Sequence, residues 1–157
     1  MKLQHILVPL DFSEPSQQAL DYATQLAEKL QARLTLLHVI QTPVVAGGPG
    51  LGTDATLVPY MEQMEAEMQQ KIEGVVQQVR QHGLPCDAAV VHGAPFQQIV
   101  DLATSKQVDL IVMGTHGHTG LQHLLLGSVA EKVVRLAPCA VLVTRSPADQ
   151  SSTEEAS

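Results

Sequence analysis

Five short, apolar, β-branched runs separated by four segments of helical spacing constrain this chain more than any other feature. The first run is His5-Ile6-Leu7-Val8-Pro9, a buried strand. Pro9 should end its ladder, because proline has no N–H to donate. Ser13 is placed to cap the next helix, and Pro15 falls in its first turn, where a missing N–H does least harm. Leu20, Ala23, Leu26, Ala27 and Leu30 recur at helical spacing and predict a helix over 14–31. Residues 34–40 read as a second buried strand. A helix over 60–82 follows, with Met61, Met64, Met68, Ile72, Val75, Val76 and Val79 on one stripe and a stop at Gly83 and Pro85. Strands at 88–92, 109–113 and 140–144 and helices at 96–106 and 129–136 complete the pattern.

The order β-α-β-α-β-α-β-α-β predicts a three-layer α/β sandwich, a five-stranded parallel sheet with helices on both faces. In such sheets ligands bind beyond the carboxyl ends of the strands, at a topological switch point. That directs attention to the loops 9–13, 39–58, 92–95 and 113–127. The repeating part predicts one domain over 1–145. Loop 41–58, with four glycines and two prolines, reads as irregular, and the acidic tail 146–157 as disordered.

Composition removes several classes of function. Nine Lys and Arg against sixteen Asp and Glu give a net charge of −7, which argues against a nucleic-acid partner. Four aromatics, Phe12, Tyr22, Tyr60 and Phe96, do not make a base-stacking platform. No apolar run reaches the ~18–20 residues of a membrane span. Two cysteines make no disulfide framework, and Met1 to His5 lead straight into a strand, so a cytoplasmic setting with reduced thiols is expected.

The segment with the most chemical content is Met113-Gly114-Thr115-His116-Gly117-His118-Thr119-Gly120, continued by Gly127-Ser128 at the start of the last helix. Unpaired N–H groups and the positive end of the helix dipole make such a terminus attractive to a phosphate, and the Ser128 hydroxyl adds a donor. From spacing alone, a flexible loop with an ordinary helix cap is an equal alternative. There is no Gly-Lys-[Ser/Thr], so it is not a Walker A loop. The first βα turn, Pro9 to Ser13, lacks the glycines of a dinucleotide fingerprint.

Taken together, these segments resemble the ATP-binding branch of the universal stress protein family, A-like superfamily. The pattern G-x2-G-x9-G-[S/T] stands as Gly114, Gly117, Gly127 and Ser128. Ile6 to Ser13, Leu36-Leu37-His38-Val39, Leu126 to Val134 and Ala137 to Val143 resemble the family's other blocks. The resemblance implies a fold like that of the adenine nucleotide alpha hydrolases and a nucleotide-dependent signalling or stress-response switch. It implies that Pro9, Leu10 and Asp11 line the adenosine, that Val39 contacts adenine through backbone groups, and that Met113 and Gly114 flank the ribose. His116 and Gly117 would lie nearer the phosphates, which Gly127, Ser128 and Val129 would hold. The implied ligand is ATP, with AMP or ADP as alternatives, accompanied by Mg²⁺ or Mn²⁺. The implied assembly is a homodimer through Val141 to Thr144, acting on an unidentified downstream protein. Rival readings are an interaction module without nucleotide and a weak ATP-hydrolysing enzyme.

Other residues read more plainly. No Lys or Arg lies between Lys106 and Lys132, so phosphate charge would fall on backbone dipoles and a metal. No G-x-S-x-G elbow is present, and no catalytic residue is assigned. The seven histidines do not show the spacing of a zinc site, so no metal ligand is assigned in the protein itself. His5 and His38 read as strand-edge residues, and Cys86 and Cys139 as structural thiols.

Overall fold

The computed structural model describes residues 2–41, 57–115 and 126–145. Their elements run β1 (His5–Pro9), α1 (Glu14–Leu30), β2 (Arg33–Ile40), α2 (Leu57–Gln81), β3 (Cys86–His92), α3 (Pro95–Ser105), β4 (Leu110–Gly114), α4 (Ser128–Leu136) and β5 (Ala140–Thr144). The strands form one sheet in the order β3-β2-β1-β4-β5, and every neighbouring pair is parallel. The expected fold class is therefore the observed one. Most of loop 41–58 and the tail from residue 146 lie outside the described residues. The end of that loop is described: Leu57 and Val58 already belong to α2, as does Pro59. Pro59 falls in the first turn, where its missing N–H breaks no helical bond.

Side chains alternate between two cores, as the pleat requires. Ile6, Val8, Leu34, Leu36 and Val112 face α1 and α2, meeting Ala19, Ala23, Ile72 and Val76. Leu7, Leu37, Ile111 and Met113 face α3 and α4, meeting Ile99, Ala103, Ala130 and Val133. Each fully buried aliphatic side chain contributes about 1.5–3 kcal/mol of transfer free energy. The small residues of α1 let it lie close on β1 and β4. The Met61, Met64 and Met68 end of the α2 stripe is only half-buried, whereas Ile72, Val76 and Val79 are in the core.

Local signals set the helix ends. Ser13 caps α1, its hydroxyl accepting from the Ser16 N–H at 3.4 Å. Gly83, at φ +76°, terminates α2 with its N–H on the Arg80 carbonyl. One expectation fails. His5 and His38 are not strand-edge residues: His5 is 3% exposed on the central strand, flanked by β2 and β4, and His38 is half-buried on β2, flanked by β3 and β1.

Candidate functional site

Chain reversal at β1 builds the crevice. From β1 the chain moves through α1 to β2 and β3 on one side, then returns through α3 to β4 and β5 on the other. The gap at the carboxyl ends of β1 and β4 is the switch point where parallel sheets bind ligands. The β1–β2 ladder ends at Pro9 opposite Leu37, while β2 continues to Ile40 beside β3.

That difference in length leaves a specific chemical opening. The Leu37 carbonyl accepts from the Leu10 N–H at 2.8 Å, so the polar backbone groups of Leu37 point toward β1. The Ile40 carbonyl accepts from the Gly93 N–H at 3.1 Å, so those of Ile40 point toward β3. By alternation, the N–H and C=O of Val39 point to the β1 side, beyond the last rung. One donor and one acceptor thus face the crevice side by side.

The β1–α1 turn forms the adjacent wall. Pro9 is half-buried at the end of β1. Leu10 turns its side chain into the α1/α2 core, and both of its backbone groups are taken, the N–H by Leu37 and the carbonyl by His38 Nδ1 at 2.7 Å. Leu10 therefore offers a ligand shape rather than hydrogen bonds. Asp11 Oδ1 accepts from the Ser13 N–H at 3.0 Å and from the Ser13 hydroxyl. Between them Phe12 adopts φ +61°, a left-handed conformation that is strained for a bulky residue. Its ring lies 4.9 Å from the His38 ring, and the Lys71 ammonium sits 4.2 Å above it. Sequence reasoning missed this His38–Phe12–Lys71 stack. The available signal was Lys71 at the margin of the α2 stripe, beside Ile72.

On the β4 side, Met113 is buried against α3 and α4, and Gly114 ends the strand. The need for glycine at 114 is a packing one: a Cβ there would stand 2.9 Å from the Pro15 carbonyl oxygen. The Thr115 carbonyl accepts from the Gly127 N–H at 2.7 Å, tying the start of α4 to the end of β4. Gly127 is the N-cap of α4 and supplies no side-chain cap. Ser128 is exposed, and Val129 packs partly into the α3/α4 core. The first N–H groups of α4 thus carry the dipole's positive end beside the crevice. His116 and Gly117 lie outside the described residues. The other sequence-predicted residues share the carboxyl edge of β2, β1 and β4 and the start of α4, spread over about two strand spacings, or ~10 Å.

Among the described residues no group of three His, Cys, Asp or Glu side chains converges as a metal cage. Burial pushes the Cys86 thiol up to about 12, assisted by Asp87, so it is poorly nucleophilic. Among the described residues no helix is long and apolar enough to cross a membrane.

A parallel α/β sheet with its open polar groups at the switch point defines a ligand-binding class. Within that class, residues 2–145 match the universal stress protein family, and the chain belongs to it. It is 34% identical over 142 residues to universal stress protein MJ0531 of Methanocaldococcus jannaschii, covering 90% of this chain and 82% of that one. The structure of universal stress protein UspA from Lactobacillus plantarum superposes with a TM-score of 0.80 at 28% identity, covering 92% of this chain and 99% of the other. The universal stress protein from Archaeoglobus fulgidus solved in complex with dAMP shares the fold at a TM-score of 0.60 and 21% identity, covering 91% and 98%.

Proposed function

We propose that this chain is an ATP-binding member of its family, a switch that reports nucleotide occupancy through contact with another protein. The observation that carries the reading is the Val39 N–H and C=O pair, turned toward the crevice past the end of β1. Adenine presents an acceptor, N1, beside a donor, the N6 amino group, and matches that pair. Guanine presents the reverse order on the same edge. The dAMP complex of the Archaeoglobus fulgidus protein supports adenine as the base.

In this reading Pro9, Leu10 and Asp11 wall the nucleoside on the β1 side, and Met113 and Gly114 lie on the ribose side. His116, Gly117, Gly127, Ser128 and Val129 meet the phosphates, through N–H groups and the Ser128 hydroxyl. Mg²⁺ or Mn²⁺ would arrive with the phosphates and stay coordinated by their oxygens and water. The proposed setting is cytoplasmic and the proposed output a partner contact, with hydrolysis at most slow.

The proposed assembly is a homodimer through β5. This strand is a sheet edge, and Val134 and Leu136 lie half-exposed on α4 nearby. Thr144 turns its carbonyl toward Thr115 on the β4 side, so Val141 and Val143 direct theirs outward, ready to pair with a second β5.

Titration calorimetry of nucleotide-free protein with AMP, ATP, GMP and GTP, with and without Mg²⁺, tests the site. Adenine nucleotides should bind one per chain. Two mismatched polar contacts at about 1–3 kcal/mol each should weaken the guanine nucleotides by at least ~30-fold. Equal affinity for AMP and GMP, or no binding at all, defeats the reading.

A further inference from the structure

The opposite end of the sheet carries a polar knot that the nucleotide reading does not use. The Arg33 guanidinium donates to His5 Nδ1 at 3.0 Å, and His5 Nε2 lies 2.8 Å from Thr35 Oγ1. The Thr35 hydroxyl donates to Asp87 Oδ1, and Lys106 Nζ donates to Asp87 Oδ2 at 2.8 Å. Asp109 Oδ2 accepts from the backbone N–H groups of Gln4 and His5, at 2.9 and 3.0 Å, and the His5 carbonyl accepts from the Asp109 N–H. The knot thus joins the start of β1 to β2, β3 and the α3–β4 junction.

Its hydrogen-bond directions leave a single protonation state for His5. Arginine only donates, so Nδ1 is the acceptor. An ionised Asp87 only accepts, so Thr35 gives it the hydroxyl proton and receives the Nε2 proton from His5. The ring is therefore neutral, with its proton on Nε2. Charge agrees: Arg33 and Lys106 balance Asp87 and Asp109 when His5 is neutral. A proton added at Nδ1 would replace the acceptor by a donor facing Arg33 and would leave one excess positive charge around a side chain 3% exposed.

We propose that this knot is an acid-sensitive latch: protonation of His5 breaks its bond with Arg33 and loosens the amino end of β1 from β2. Burial, followed by Arg33, lowers the affinity of His5 for a proton; the Lys106 backbone carbonyl and Asp87 act in the opposite sense, and the Lys106 charge reinforces the lowering. Cys139 is pushed up by burial and by the Asp109 charge, and it stays neutral over the same range. An unfolded histidine titrates near pH 6.5. The folded ring titrates lower, so its stabilisation is complete above pH ~6.5 and is lost as pH falls toward the folded midpoint.

Urea unfolding of the full chain at pH 7 and pH 5, paired with NMR titration of the histidine rings, tests the latch. The unfolding equilibrium constant should rise by up to ~25-fold from the His5 contribution between those pH values. His5→Gln, which keeps an N–H for Thr35 and does not titrate, should lose that part of the slope. Arg33→Met should move the His5 midpoint up toward 6.5 and shrink the same slope. In the parent protein the His5 ring should hold its proton on Nε2 at pH 7 and titrate below 6.5. A ring midpoint at or above 6.5, or a His5→Gln variant with the full parental acid slope, overturns the proposal. Should His5→Gln fail to fold, the ring titration of the parent protein decides alone.

Discussion

Replacing Gly114 by alanine separates a packing role from a ligand role at the first glycine of the family pattern. An added Cβ would stand 2.9 Å from the Pro15 carbonyl oxygen and 3.0 Å from both its carbonyl carbon and its Cβ. Ordinary carbon contacts begin near 3.5 Å, so the shortfall is about half an ångström. The obstructing atoms are mostly backbone at the first turn of α1, on the face where α1 packs against β4, so no side chain can swing aside. Overpacking of this kind costs about 1–3 kcal/mol. At about 2–4 °C per kcal/mol for a chain this long, the thermal midpoint should fall by roughly 2–12 °C. The same displacement would move Ser13 and Asp11, which lead into α1, so AMP affinity should fall as well. Gly74 supplies the control: it lies on α2, and a Cβ added there would meet nothing within 4 Å. Gly74→Ala should raise stability by about 0.5–1 kcal/mol through helix propensity. Thermal unfolding of both variants, followed by circular dichroism, reads the difference. A Gly114→Ala protein as stable as its parent would refute the packing argument and return that glycine to the ligand.

Other outcomes follow from equally specific contacts. Ser13→Ala removes the α1 cap and a partner of Asp11, and chemical denaturation should register a loss of about 1 kcal/mol. Val143→Pro removes an outward-facing N–H from β5 without touching the β4 ladder, so sedimentation should show a monomer of unchanged secondary structure; a persistent dimer places the interface elsewhere. Burial pushes the Asp87 carboxyl up, but the bonds from Lys106 and Thr35 and the charges of Lys106 and His5 outweigh it and hold it below the ordinary range. Its stabilisation is thus present above pH ~3.8 and lost as pH falls below that, so Asp87→Asn should cost about 1 kcal/mol near neutrality and flatten the most acidic part of the stability curve. Iodoacetamide at pH 8 should leave Cys86 unmodified until the protein unfolds, and prompt native-state labelling at that position would contradict its burial.

The fold was legible because its signals are local and repeated. Each strand is a short apolar run, and each helix shows a stripe with its own stop, such as Gly83 after α2. Boundaries moved by one to three residues, the most at α2, which starts at Leu57 with Pro59 in its first turn. The burial of His5 was not legible, since its neighbours in the chain place it at a strand start. Only the strand order, with β1 in the centre, buries that start between Arg33 and Asp109. Lys71 escaped for the same reason, because its partner Phe12 is far away in sequence and meets it only when α2 crosses the sheet.

What the sequence carries of the candidate site is mainly a difference in strand length. The turn that follows Pro9 leads β1 away from the sheet, while the apolar run of β2 continues to Ile40. The rungs of β2 past Leu37 therefore have β3 on one side and no β1 on the other. Alternation then assigns the exposed pair to Val39, neither its neighbour His38 nor Ile40. Val39 needs no special side chain for this: its polar groups are backbone, and on the proposed function a substitution to isoleucine leaves AMP affinity unchanged. What does matter is the position of the β1–α1 turn, held by the His38 bond to the Leu10 carbonyl and by the strained Phe12 under Lys71. The side chains around the crevice thus serve mainly to hold backbone in place.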